Sequence, residues 1–295
     1  MPAIAMLIAV FIWGGSFIAT KLAIAEIPPI AFAVLRFAVA VAGLLAAHLV
    51  TRTPITIPRP LWGRVVLAGL LGTTATYVLE NIALKYTTAG NTAIFIAASP
   101  LLTIAGAAIF LRERLNLRTI GGALLAFGGL AALVGASFKE TGLGDGLMAL
   151  NTLVGAWYAL VSKTLADRAS PLSTLTTTYS VGLVGLLPFA VGEAILTPAT
   201  WHFSPLSLGS LAFLGLGSSG CAYWLWMYAL GRMSAATSGV YLYLMPIVTL
   251  ALSWLLLGEA MGPAKIAQAA IVLIGVYLAS TARQAPRISE VPQPS

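Results

Sequence analysis

Two ionisable side chains stand inside long apolar runs of this chain, Glu80 within residues 62–84 and Arg36 within residues 29–50. A charge at bilayer depth is costly, so each is a functional candidate by default. Glu80 suits holding a substrate ammonium group or carrying a proton. Arg36 suits pairing with Glu80 or gripping a substrate carboxylate. Bland readings stand beside these: Glu80 lies about a turn from Lys85, at the interface, and Arg36 snorkels outward or satisfies buried carbonyls. Around them lie many aromatic side chains, among them Trp13, Tyr77, Trp157, Tyr158, Tyr179, Tyr223, Trp226 and Tyr241. Interfacial belts explain some aromatics, but Trp13, Trp157 and Tyr179 fall too deep for a belt. Aromatic walls with few charges suit amphipathic or aromatic ligands. A phosphate site would need a cluster of Arg or Lys, and Arg36 is the one basic residue well inside a run.

Polar side chains recur at helical spacing. Thr73, Tyr77, Glu80, Asn81 and Leu84 share one face. A stripe of Thr88, Asn91, Thr92, Phe95, Ser99 and Thr103 is matched by Thr237, Ser238, Tyr241, Met245 and Thr249. Such stripes either line a cavity or bind helices together. Ser16 and Met227 complete the candidate lining. Pro100 and Pro246 sit near the middle of their runs and are expected to kink them, either as packing features or as hinges. Glu113 and Glu259 each precede the start of a further run, where a carboxylate stabilises a helix N-terminus. No HExxH, CxxC, P-loop or GxSxG pattern occurs, Cys221 is alone, and His48 and His202 lie far apart. The sequence therefore points to no enzyme, no cofactor and no metal.

The elements that position these residues are membrane spans. The chain of 295 residues is 59% hydrophobic and 8% charged, against roughly 25% charged in soluble domains. A crossing helix needs about 20 apolar residues. Ten such runs are expected near 3–24, 29–50, 62–84, 90–111, 117–136, 145–166, 172–193, 206–230, 235–257 and 263–282. Apolar sequence reaching Thr20 from the start reads as a retained first span rather than a leader, and 283–295 as a disordered cytoplasmic tail. With ten spans, eleven basic residues, from Arg52 to Arg287, fall on one side and four lysines on the other. This bias predicts cytoplasmic termini and a multi-pass protein of the inner (plasma) membrane. The net charge of +7 is topological by this reading and no nucleic acid partner is expected.

The sequence repeats itself. At a shift of 146, Gly69-Leu70 falls on Gly215-Leu216, Tyr77 on Tyr223, Pro100 on Pro246, Glu113 on Glu259 and Gly129 on Gly275. Nearer the start the shift is 142, which sets Lys21 on Lys163. The repeats are 1–140 and 141–282, each of five spans. An odd number inverts the second half, as in many secondary transporters whose substrate sits between the halves. The expected fold is thus all-α, ten transmembrane helices as two inverted five-helix repeats.

The stretch Trp13-Gly14-Gly15-Ser16-Phe17 with Lys21, the pair Arg36-Phe37, and the repeated Pro-x12-Glu ending at Glu113 and Glu259 resemble the EamA family of the drug/metabolite transporter superfamily, most of all aromatic amino-acid exporters of the YddG type. The resemblance covers 3–282. It implies a cavity lined mainly by spans 1, 3, 4, 6, 8 and 9, peripheral spans 5 and 10, and export from the cytoplasm. One departure is that Gly155, not a tryptophan, is the repeat mate of Trp13, with Trp157 two residues on. The leading expectation is a carrier, monomer or weak homodimer, exporting amino acids or related metabolites by alternating access. A nucleotide-sugar or phosphorylated-metabolite antiporter would need more cavity cations. An ion channel would need a filter or charged ring, and an intramembrane enzyme a nucleophile–base or metal constellation.

Overall fold

Helices begin where a residue with no useful N–H, or with a capping hydroxyl, meets an apolar run. Pro2, Pro29, Pro205 and Pro263 stand in the first turns of their helices, where a missing N–H costs nothing. Ser204 and Ser234 cap helices by accepting from the Ser207 and Thr237 N–H groups at 3.1 and 3.0 Å. A computed structural model describes residues 1–83, 86, 89–134, 142–196, 201–257 and 262–281. The tail at 283–295 and Glu259 lie outside the described residues.

Described residues form helices and connecting turns. They are α1 (Pro2–Ile24), α2 (Pro29–Thr51), α3 (Trp62–Gly69, a wide π turn at Leu70–Ala75, then Thr76–Ala83), α4 (Ala89–Phe110) and α5 (Leu117–Val134). There follow α6 (Leu143–Ala166), α7 (Pro171–Leu196), α8 (Pro205–Leu230, with a π turn at Phe213–Ala222), α9 (Ala235–Tyr241 and Leu244–Leu257) and α10 (Pro263–Ser280). By length and composition five are able to cross a bilayer, namely Pro29–Thr51, Pro171–Leu196, Pro205–Leu230, Ala235–Leu252 and Pro263–Ser280. Large apolar side chains such as Phe11, Val50, Ile109, Val184, Leu255 and Tyr277 are exposed, as a lipid-facing surface requires. The chain is an all-α, multi-pass membrane protein.

The repeat register is visible in three dimensions. A Cβ at Gly69 would strike the Thr178 carbonyl and Val181 of α7; one at Gly215 would strike Val39 and the Arg36 carbonyl of α2. Shifts of 146 and 142 interconvert the two contacts residue by residue. Repeat-mate helices also pack on each other and run antiparallel. In the α2–α7 pair, Glu193 near the end of α7 meets Ile30 at the start of α2, while Ser173 near the start of α7 meets the chain at Thr56 beyond the end of α2. In the α5–α10 pair, Gly122 abuts Gly275 and Ala279 while Gly129 abuts Ile271 and Val272. Equivalent helices pointing in opposite directions make the repeat an inverted one. Small residues permit this backbone approach, the usual device for packing helices in lipid.

Polar groups at the helix ends are satisfied across the halves. The Glu26 carboxylate accepts from the Ser204 N–H and hydroxyl at 3.1 and 2.9 Å, at the start of α8. The Glu193 carboxylate accepts from the Ile30 and Ala31 N–H groups at the start of α2, where Pro28 and Pro29 offer no donor. Glu113 was expected to support the helix that follows it; instead it accepts from the N–H groups of Ala235 and Ala236 at 2.9 and 3.3 Å and so caps α9. Lys163 donates to the Leu230 carbonyl at 2.7 Å and to Asp167 at 2.8 Å, closing the end of α8. These contacts sort the turns. Those after α4, α6 and α8 meet at one end with the loop arginines; those after α1 and α7 meet at the other.

Pro246 interrupts α9 as expected. The break falls at Leu242 and Tyr243, where bonds shorten to the three-residue type; the ring of Pro246 clashes with the carbonyl four residues back, that of Leu242. Pro100 has no such effect, and α4 continues through it.

Two outcomes test this packing. A Cβ at Gly275 would lie 2.5 Å from the Ala126 nitrogen, and overpacking of that kind costs about 1–3 kcal/mol. Gly275→Ala is therefore expected to lower the thermal unfolding midpoint in detergent, whereas Gly121→Ala, which meets open space, is not. The hydroxyls of Ser207 and Ser204 and the Ser204 N–H favour the charged form of Glu26 and hold its carboxyl below the ordinary carboxylate range. Stability from such a depressed group is present above the unfolded-state value and is lost as pH falls through the folded one. The midpoint difference between the native chain and Glu26→Gln is expected to be full at pH 7 and to vanish on acidification below the ordinary carboxylate range.

Candidate functional site

The interior is built on Arg36. It is buried in α2, and its Nε donates to the Ser219 hydroxyl at 2.7 Å while Nη2 donates to the Ser218 hydroxyl at 3.1 Å. Both serines lie on the π turn of α8 and are fully buried. A π turn displaces backbone groups from the regular ladder, and here the Ser218 carbonyl accepts from Trp13 Nε1 at 3.2 Å. One short segment of α8 therefore receives the arginine of α2 and the indole of α1. The arginine was a candidate from sequence; its serine partners were not. Gly215, Gly217 and Gly220 around Ser218 and Ser219 were the available signal for irregular backbone.

Aromatic rings close around this point. Phe37 meets Tyr77 and Tyr179 edge-on, each at 5.0 Å between centroids. Tyr223 meets Trp13 at 4.8 Å and Trp226 at 5.9 Å, and Trp226 stacks on Tyr158 at 5.8 Å. The Arg36 guanidinium lies 5.5 Å from the Tyr77 ring centre, within cation–π range. Its charge also acts on Glu80, a turn beyond Tyr77, but the two are not in ion-pair contact. Lys163–Asp167 is the ion pair found among the described residues.

Depth divides the cluster. Trp226 and Tyr158 stand about 6 and 12 Å, at 1.5 Å per residue, from the ends of α8 and α6 at the arginine-rich end. There they join Met227, Leu230 and Leu165 in a closed core. Tyr77, Glu80, Phe95, Ser99 and Met245 lie farther from that end and are only partly buried. The interior thus has a packed side and a looser one.

Of the sequence candidates, Trp13, Tyr77, Tyr158, Tyr179, Tyr223, Trp226 and Met227 come together, with Tyr241 and Met245 against them. Ser16 donates to its own helix at the Trp13 carbonyl. The side chains of Asn81 and Asn91 lie outside the described residues. Trp157 does not belong: it is 45% exposed and packs on Phe110 at the outer surface. One residue is 100° of helical turn, so directing Tyr158 inward turns its neighbour away. Phe37 and Arg36 of α2 and Tyr179 of α7 also line the interior, so it is not confined to spans 1, 3, 4, 6, 8 and 9. The polar stripe of α9 serves partly as adhesive, since Thr249 donates to the Gly14 carbonyl of α1 at 2.8 Å. Among the described residues no group of three His, Cys, Asp or Glu is placed to hold a metal.

This arrangement matches known proteins over nearly its whole length. The chain is 28% identical to an uncharacterised transporter of Archaeoglobus fulgidus, over 93% of this chain and 97% of that one. It is 29% identical to a probable terminal-alkyne amino-acid exporter of Streptantibioticus cattleyicolor, covering 93% of this chain and 91% of the other. A probable amino-acid metabolite efflux pump of Salmonella typhimurium is 25% identical over 92% of each chain. A solved crystal structure superposes with a TM-score of 0.80 at 22% identity, over 95% of this chain and 96% of that one, which establishes a shared fold. The EamA-like transporter family matches twice, over residues 1–135 and 142–281, once for each set of mutually inverted helices, and the chain belongs to that family.

Proposed function

We propose that this transporter carries amino acids or closely related amphipathic metabolites out of the cytoplasm by alternating access between its two inverted halves. The ten helical segments act as ten spans, five to a repeat, with boundaries near residue 140 and both termini cytoplasmic. The observation that carries the reading is a fixed cation, Arg36, buried against the rings of Phe37 and Tyr77, with Glu80 one turn beyond Tyr77 on α3. A zwitterion with an apolar side chain fits that combination: Arg36 attracts the carboxylate, Glu80 the ammonium group, and the rings of Tyr77, Phe95 and Tyr241 the apolar part. The exporter and efflux-pump relatives support the same substrate class. A phosphorylated substrate would demand a cluster of cations, and among the described residues Arg36 is the cation set against the interior rings.

In this conformation the arginine-rich end is the closed one. The Tyr158–Trp226 stack and the Lys163 bond to Leu230 tie α6 to α8 there. Export requires these contacts to part when the cavity faces the cytoplasm, with the break in α9 at Pro246 as one hinge and Pro100 as its counterpart.

Proteoliposomes loaded with a panel of aromatic and aliphatic amino acids are expected to release at least one faster than protein-free vesicles; release of none overturns the assignment. Arg36→Lys keeps the charge but not the planar fork that reaches both serines. A charge-assisted hydrogen bond is worth about 1.5–3 kcal/mol, so the variant is expected to lose roughly tenfold or more in export while still folding. Glu80→Gln is expected to flatten the pH dependence of export, measured with imposed pH gradients; an unchanged profile removes Glu80 from coupling.

A further inference from the structure

The membrane-facing surface carries one feature that transport does not use. A groove of about 280 Å³ opens between α2, α7 and α8. Its floor is made of small residues, Ala40, Gly43 and Ala47 of α2 and Gly220 and Cys221 of α8, with Trp224 as one wall. It reaches the last residue of α2, Thr51, and therefore ends at the arginine-rich end.

The inverted repeat supplies an internal control, because the same groove should exist between α7, α2 and α3. There it is filled. The mate of Gly220 is Thr74, whose hydroxyl donates to the Gly182 carbonyl of α7 at 2.9 Å. The mate of Ala47 is Phe189, and the mate of Thr51 is Glu193, a carboxylate committed to capping α2. The fold thus does not demand a hollow here. Gly220 in place of threonine and Ala47 in place of phenylalanine leave the space open, and the mouth carries Arg52 where the other copy has Glu193 one residue earlier in register.

At that mouth stands exposed Arg52, which directly follows Thr51. From Trp224 a ladder runs along α8 toward the same end. Trp224 stacks on Tyr228 at 6.1 Å, and the exposed Arg232 guanidinium lies 3.8 Å from the Tyr228 ring centre. An apolar slot in contact with lipid, walled by an interfacial aromatic and ending in two arginines, has the composition of a site for an acyl chain and its anionic headgroup.

We propose that this groove binds an anionic phospholipid, one acyl chain lying between α2 and α8 and the phosphate held by Arg52 and Arg232. The site is separate from the transported substrate and does not depend on its identity. Cys221 lines the groove and is the one cysteine of the chain, so its alkylation reports occupancy.

The full chain is placed in nanodiscs of phosphatidylcholine alone or mixed with phosphatidylglycerol, and Cys221 is alkylated with N-ethylmaleimide. Phosphatidylglycerol is expected to slow alkylation, and native mass spectra to retain phosphatidylglycerol in preference to phosphatidylcholine. The double variant Arg52→Gln/Arg232→Gln is expected to lose that preference by roughly thirtyfold, the headgroup attraction of two arginines. Gly220→Thr copies the filled groove of the other half, and a Cβ there meets only the Gly215 carbonyl, at 3.4 Å. It is expected to abolish retention with an unchanged thermal midpoint. Equal alkylation in the two lipid mixtures, or phosphatidylglycerol retained equally by the arginine-free variant, overturns the proposal.

Discussion

Two close approaches of backbone, Gly69 on α7 and Gly215 on α2, carry the architecture. In lipid there is no hydrophobic force to bring helices together, so association rests on close packing and on polar bonds. A glycine at each crossing lets α3 and α8 settle against the helix of the opposite half. The α8 contact then brings Ser218 and Ser219 within reach of Arg36. Were Gly215 larger, the π turn of α8 would move away from α2, and a buried guanidinium would lose its partners.

The halves are bound to each other in the same way at their ends. A first-half carboxylate caps a second-half helix at Glu26 and Glu113, and a second-half carboxylate caps α2 at Glu193. Free N–H groups at a helix start are expensive in a membrane, and some of those of α2, α8 and α9 are satisfied by the other repeat. The capping bonds lie at the two faces, where rearrangement exchanges protein partners for water. The middle combines aromatic contacts with the bonds that Arg36 and Trp13 make to the π turn of α8.

Symmetry is only partial, and the departures are informative. Glu80 has Trp226 as its mate, so one copy carries a charge at the looser side and the other a ring in the packed core. Gly220 and Thr74 differ in the same manner at the lipid surface. Pro246 breaks its helix where Pro100 does not. In the first two cases side-chain volume or charge separates the two copies; at the prolines the residue is the same and the backbone differs.

From sequence alone, the all-α membrane class, the helix starts at proline and the repeat registers of 146 and 142 were legible, because apolar run length and backbone-restricted residues act locally. So were Arg36 and most of the interior aromatics, since a charge or ring deep in a span has few structural excuses. Tertiary structure alone decided which groups meet. The π turns of α3 and α8 depend on contacts with α7 and α2 that no single helix encodes. The partners of Arg36 lie 183 and 182 residues away. Glu113 looked toward its own next helix by proximity in sequence, yet the free N–H groups nearest in space belonged to α9. Trp157 looked like part of the interior by type, but helical rotation, set by the inward placement of Tyr158, turned it to the lipid.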